Sequence, residues 1–473
     1  MGFSEFIGYD KHGAITDLNT NLNKNQLSTW HIVLASLGWN APAWVSASSI
    51  PLLYATVGHA GPLILLVTFL CSTIIIALSL VYLVRQAPSA AGVFTFTEKF
   101  VHHDVGVIVG TSYVICAMII LGMTTNVAST YIRALFPFIQ GAYAEQIVGT
   151  VFLVILFIIA WRGVSLNAKL AAVFLGVEVA IVVGLGICGI VDPHIQGITL
   201  AQCYSLKEAG GIHGLVAGVL IGIFIICGYD ITINFIEEAK TPVRSVQRSL
   251  MVVICVVLVI YSIATIGWQR AVPMDVLVQY ESGNGGPIAA VAAEYLPASL
   301  QWIAIFVVIT STYAGFQVAL MSGARAAYRM SEEGCLPPIF KSLNKHKTPW
   351  FSTTMIAAVG LIFSWLKPMS ELGWYINIIS IGLILSFSAT LVAFIFAVFK
   401  LKKRSSAILA SILPAVAICF MVYSGYASGS GAWLAGIAIV LIGVALIILG
   451  KIMNKKVAVQ YNGPISLTQK QKF

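Results

Sequence analysis

Residues 218–240 read GVLIGIFIICGYDITINFIEEAK. An apolar run heading for the length of a membrane crossing, about 20 residues, is broken near its middle by Gly228 and then carries a carboxylate, Asp230. A charged group at that depth costs on the order of 2.5 to 3.5 kcal/mol on insertion scales, so Asp230 is expected to face a protein interior or a wet cavity. Backbone amides and carbonyls cannot be left unpaired in lipid, so the break must also be buried in protein or line a cavity. A second such break stands in residues 31–51, HIVLASLGWNAPAWVSASSIP, where Gly38 and Pro42 bracket Trp39, Asn40 and Ala41.

The rest of the chain places these breaks in an all-α integral membrane protein. Of 473 residues 59% are hydrophobic and 10% charged, and the mean hydropathy is +0.92. A soluble domain carries about a quarter charged residues. The stretch from Gly431 to Gly450 has no charged residue at all. Apolar runs between charged or Gly/Pro-rich breaks predict twelve spans near 30–55, 61–84, 105–136, 146–161, 168–191, 212–238, 248–269, 299–324, 350–366, 372–399, 407–427 and 431–450.

The net charge of +9 is not a nucleic-acid footprint, because the basic residues sit at the ends of apolar runs. With the N-terminus on the cytoplasmic face, only Arg133, Lys207, Arg270 and Lys367 of the 27 lysines and arginines fall on the opposite side. That is the positive-inside bias, and it predicts both termini cytoplasmic; the expectation of a cell-membrane location rests instead on the short tails. Residues 1–29 are expected to form a polar tail without the basic and apolar regions of a signal peptide, 30–450 the twelve-span membrane domain, and 451–473 a second polar tail. The eight cysteines show no CxxC spacing, and His31, His59, His102 and His103 lie near span ends without metal-ligand spacing, so no metal or other cofactor is expected.

Spans one and six, the two that are interrupted, would open two inverted five-helix repeats, spans 1–5 and 6–10, with two extra helices after them. Paired interrupted spans at corresponding positions of two halves point to a transporter binding site. The plainer reading is that Gly228 and Pro42 allow close helix packing and that Asp230 is a satisfied structural acid. Freed amides at a half-helix N-terminus attract a carboxylate, and freed carbonyls at a C-terminus attract an ammonium group, which together suit an amino acid.

Four stretches resemble the amino acid-polyamine-organocation superfamily, whose members look like the bacterial leucine transporter in fold. They are the break in span one, RQAPSAAGVFTF in the loop after span two, GYDITINFIEEAKTPVRSV at the end of span six, and GARAAYRMSEEGCLPPIF closing span eight. The resemblance implies that Gly38, Trp39, Asn40 and Ala41 offer amides to a substrate carboxylate. It implies likewise that Cys227, Gly228, Tyr229 and Asp230 offer carbonyls to the amine, with Tyr229 flanking the substrate. Trp39 departs from the small residue common there. Glu237, Glu238 and Arg244 look like a cytoplasmic gate or its support.

Glu178 in the middle of span five, within VFLGVEVAIVV, is the candidate for carrying a coupling proton; a packing role for this acid stands beside it. Ser311 and Thr312 of span eight are candidate hydroxyl ligands for sodium, the alternative coupling ion, or ordinary packing residues. Gln317 of span eight and Asn377 of span ten either line the pocket or bond between helices. The function these residues imply is secondary active transport of amino acids or related amines by alternating access, as proton symport or substrate exchange. A polyamine or diamine transporter is the nearer alternative and a transporter-like sensor the farther one. No filter motif of a channel and no acid–base or metal cluster of an enzyme is visible.

Overall fold

The computed structural model describes residues 27–88, 92–162, 168–236, 239–279, 286–332, 334–345, 348–401 and 404–460. Residues 1–26 and 461–473 of the two polar tails, with Glu237 and Glu238, fall outside these residues.

Among the described residues ten helical stretches are long and apolar enough to cross a membrane. One of them, Thr29–Gln86, has 58 residues. At 1.5 Å per residue it would be about 87 Å long, so it must cross twice. It turns back at Gly58, which takes φ 55, and the short turn that follows to Ala60. Trp350–Leu366, at 17 residues, adds a crossing at the short end of the range. Twelve spans result: Thr29–Val57, Gly61–Gln86, His103–Leu135, Ala144–Trp161, Ala168–Val191, Gly211–Phe235, Pro242–Ala271, Gln301–Glu332, Trp350–Leu366, Leu372–Leu401, Arg404–Ala427 and Ser430–Gln460.

The sequence boundaries are corrected at spans seven, eight and twelve, the last of which runs as helix to Gln460 through the first ten residues read as a polar tail. Span eight continues to Glu332 instead of stopping near 324, because Arg325, Arg329 and Glu332 are strong helix formers, with Arg329 bonded to Glu332 at 2.7 Å one turn on. Span seven begins at Pro242, which suits the first turn of a helix, where an amide would be unpaired anyway. Two segments read as loops are helices, Val93–Phe100 and Gly286–Tyr295.

Span three lies along span eight, and other packing pairs come in twos. Span five packs on span seven as span ten packs on span two; span one packs on span seven as span six packs on span two; span three packs on span ten as span eight packs on span five. Each pair becomes its counterpart when spans one to five are exchanged with six to ten. Because each set has an odd number of crossings, the second enters from the opposite face, as in an inverted repeat.

The spans meet through small residues, since lipid provides no hydrophobic drive between them. The closest approach joins spans five and seven, where a methyl group on Gly267 would overlap the backbone of Gly186, and one on Gly189 would overlap that of Gly267. At the end of the bundle nearest residue 27, spans one, six and seven are tied together. The Lys240 amide donates to the Leu27 carbonyl at 2.9 Å and the Ser249 hydroxyl to the Thr29 carbonyl at 3.0 Å. At the far end His59 and Gln269 bond at 2.9 Å, and the Tyr54 hydroxyl donates to the Thr265 carbonyl at 2.6 Å.

Candidate functional site

Both predicted breaks exist. Pro42 has no amide and its ring excludes the preceding helical turn, so the first half of span one ends at Asn40. Ala41 takes the left-handed conformation, φ 48 and ψ 69, and is the one non-glycine residue with positive φ among the described residues. Pro42 then opens the second half, Pro42–Val57. In span six the helix stops at Ile226, Cys227 is extended, and Gly228 turns the chain with φ 96 before a tighter 3-10 run, Tyr229–Phe235.

The breaks face each other. A methyl group on Gly228 would overlap the Trp39 indole, so only glycine leaves room for the ring. Asn40, 4% exposed, bridges the two: its Nδ2 donates to the carbonyls of Ile225 at 3.2 Å and Cys227 at 2.9 Å. Its Oδ1 accepts from the Tyr261 hydroxyl of span seven at 2.5 Å. Between the breaks lies a cavity of about 20 Å³, lined by Trp39, Asn40, Trp44, Val45, Ile120, Phe224 and Cys227. This is room for about one water, so larger occupants require the lining side chains to move.

The amides assigned by resemblance to a substrate carboxylate are not free. Gly38, Trp39 and Asn40 stay inside the first half-helix, and the Ala41 amide donates to the Leu37 carbonyl at 3.1 Å. The amides that a proline-led half-helix leaves over are those of Ala43 and Trp44. Ala43 donates to the carboxylate of Glu178, and Trp44 to the hydroxyl of Ser311 at 3.0 Å. Ser311 in turn donates to Glu178 Oε2 at 2.7 Å. An acid from span five thus sits at the positive end of a half-helix, where its charge is stabilised.

The carbonyls at the second break are also engaged: Cys227 by Asn40, Gly228 by the Ile231 amide at 3.4 Å, and Tyr229 by the Thr232 hydroxyl at 2.7 Å. Each carbonyl keeps a second lone pair for a donor. The carboxylate of Asp230, 7% exposed, is held by the amides of Gly228 and of Asp230 itself, within the first turn of the short helix that Tyr229 opens. Tyr229 stacks on Phe387 of span ten, ring centroids 5.7 Å apart.

Three candidates part from the cluster. Thr312 turns its hydroxyl back to the Ile309 carbonyl at 2.6 Å. Gln317 donates to the Leu156 carbonyl at 3.0 Å and so joins span eight to span four, a correction to its place among the pocket residues. Arg244 lies exposed after span six. The loop after span two does reach the site's surroundings: Gly92, at φ 53, packs on Ile233 and Asn234 of span six. Sequence reasoning missed Trp44, Phe224, Ile120 and Tyr261. Of these only Trp44, three residues past the break, carried a signal in its position.

The chain is similar to human "Solute carrier family 7 member 13", 25% identical over 36% of this chain and 35% of that one. "Probable threonine/serine transporter YbxG" of Bacillus subtilis is 24% identical over 73% of this chain and 75% of its own length. The "D-serine/D-alanine/glycine transporter" of Escherichia coli is 25% identical over 55% and 54%. The aligned stretches therefore span about a third of the first relative and about half of the third. Residues 27–448 match the model of the family described as amino acid permease, and with two interrupted spans facing each other inside a multi-span helical bundle, this chain belongs to that family of permeases.

Proposed function

We propose that this protein is a secondary active transporter that carries small neutral amino acids across the cell membrane by alternating access, coupled to protons through Glu178. The observation that carries the reading is the meeting of the two breaks, with Trp39 on Gly228 and Asn40 bonded across to Cys227. The relatives named for threonine, serine, alanine and glycine support the substrate class. The fully apolar walls of Val45, Ile120 and Phe224 agree with it.

Glu178 gives a route for coupling. As a carboxylate it holds the Ala43 amide and the Ser311 hydroxyl, binding span five to spans one and eight. Taking up a proton removes the charge that the half-helix end stabilises and loosens that contact. A proton serves this reading better than sodium, because the Ser311 hydroxyl is committed to Glu178 and Trp44 and that of Thr312 to its own helix.

The alternative, a diamine carrier, draws on the buried carboxylate of Asp230. That carboxylate is taken by backbone amides, which favours a structural role for it and the neutral substrate. The charge distribution supports cytoplasmic termini on both sides of a transporter domain running from 30 to 450.

The test is uptake into proteoliposomes of radiolabelled neutral, basic and acidic amino acids and diamines, with and without proton and sodium gradients. Accumulation of small neutral amino acids with the proton gradient supports the proposal. Accumulation of diamines alone, or no movement of any of them by folded protein, overturns it and moves the sensor reading forward.

A further inference from the structure

The indole of Trp44 carries an unused donor. Trp44 is 3% exposed, and its Nε1 has no hydrogen-bond partner among the described residues. Burying such a donor unpaired costs about 1 to 3 kcal/mol, a cost that a partner which comes and goes would relieve. The ring's orientation limits where that partner would lie. The Cε3 and Cζ3 edge faces Gly315 of span eight, and Nε1 is on the opposite edge of the indole. Trp44 also lines the cavity between the breaks, in edge contact with Phe224 at 6.1 Å between centroids.

Of the other hydrogen-bonding side chains lining that cavity, Asn40 has both its oxygen and its nitrogen engaged, and the Trp39 indole lies with its Nε1 edge against Gly228. An indole N–H donates and cannot accept. We propose that Trp44 Nε1 donates a hydrogen bond to an oxygen of the transported amino acid and so serves as a substrate-binding residue. The inference rests on the reading of the site as an amino acid site and adds the residue that recognises an acceptor there. The oxygen belongs either to the α-carboxylate or to a side-chain hydroxyl, and the experiment separates the two.

The experiment compares wild type with Trp44→Phe, which keeps an aromatic ring and removes the donor, for uptake of serine, alanine, threonine and 2-aminobutyrate by proteoliposomes. Loss of one such bond raises KM by about three- to tenfold where the acceptor is a neutral hydroxyl, and by about tenfold or more where it is a carboxylate. A rise for serine and threonine alone assigns the side-chain hydroxyl; a rise for all four assigns the α-carboxylate. Either supports the proposal, and unchanged KM for all four overturns it. If Trp44→Phe does not fold, 3-benzothienylalanine at position 44 keeps the bicyclic shape without the N–H and is read in the same way. Failure of wild type to move any of the four would instead defeat the amino acid reading itself, and this proposal with it.

Discussion

The Ser311 hydroxyl donates to Glu178 Oε2 at 2.7 Å while its oxygen accepts the Trp44 amide at 3.0 Å, so one serine links spans one, five and eight. Glu178→Gln keeps the size of the side chain and removes the charge. Accumulation driven by a proton gradient is expected to fall to simple equilibration, with substrate exchange kept within about threefold, since the amide can still bond Ser311 but carries no proton load. Uptake and counterflow in the same vesicles check this. Undiminished accumulation by the variant would remove Glu178 from coupling.

Trp39 fills the space above Gly228 that a substrate would enter. Trp39→Ala is expected to shift selectivity toward larger side chains, raising kcat/KM for leucine relative to alanine by about tenfold or more, as methylene-sized changes in apolar pockets do. Competition uptake with a graded series from alanine to phenylalanine measures it.

Asp230 lies inside the first turn of the short helix, its carboxylate on the amides of Gly228 and of its own residue. An asparagine oxygen can accept from the same amides, whereas alanine cannot. Asp230→Asn should therefore leave neutral amino acid uptake close to wild type, and Asp230→Ala should lose about 1 to 3 kcal/mol of local stability. Thermal unfolding in detergent, run beside uptake, separates this from a direct role in binding a cation, for which both variants would lose uptake alike.

Gly267 meets Gly186 and Gly189 backbone to backbone. Gly267→Val has no nearby flexible side chain to displace and must push spans five and seven apart. Overpacking of this kind costs about 1 to 3 kcal/mol or more, so lower yield of folded protein and a lower Tm are expected. Fluorescence-detected size exclusion gives the comparison.

The breaks were legible because a glycine, a proline and an acid interrupt runs that are otherwise apolar. Their details were not. Gly38 keeps its helix, since a glycine only permits a break, while Pro42 enforces one and moves it to Ala41. Glu178 and Ser311 each stood out in the sequence, but they lie 133 positions apart, and only packing brings them together. Tyr261 looks like any aromatic in an apolar span until Asn40 is seen beside it. The helices Val93–Phe100 and Gly286–Tyr295 are too short for a crossing, so hydropathy over a membrane-length window carries no sign of them.

The most direct measurement is equilibrium binding of a radiolabelled small neutral amino acid to purified protein, comparing wild type with Gly228→Val by scintillation proximity. Valine at this position places a branched side chain where the Trp39 indole meets the turn, at a positive φ that L residues avoid. If the substrate binds between the two breaks, saturable binding by wild type disappears in the variant while its elution profile shows folded protein. Unchanged affinity in a folded Gly228→Val protein would place the substrate elsewhere and contradict the account.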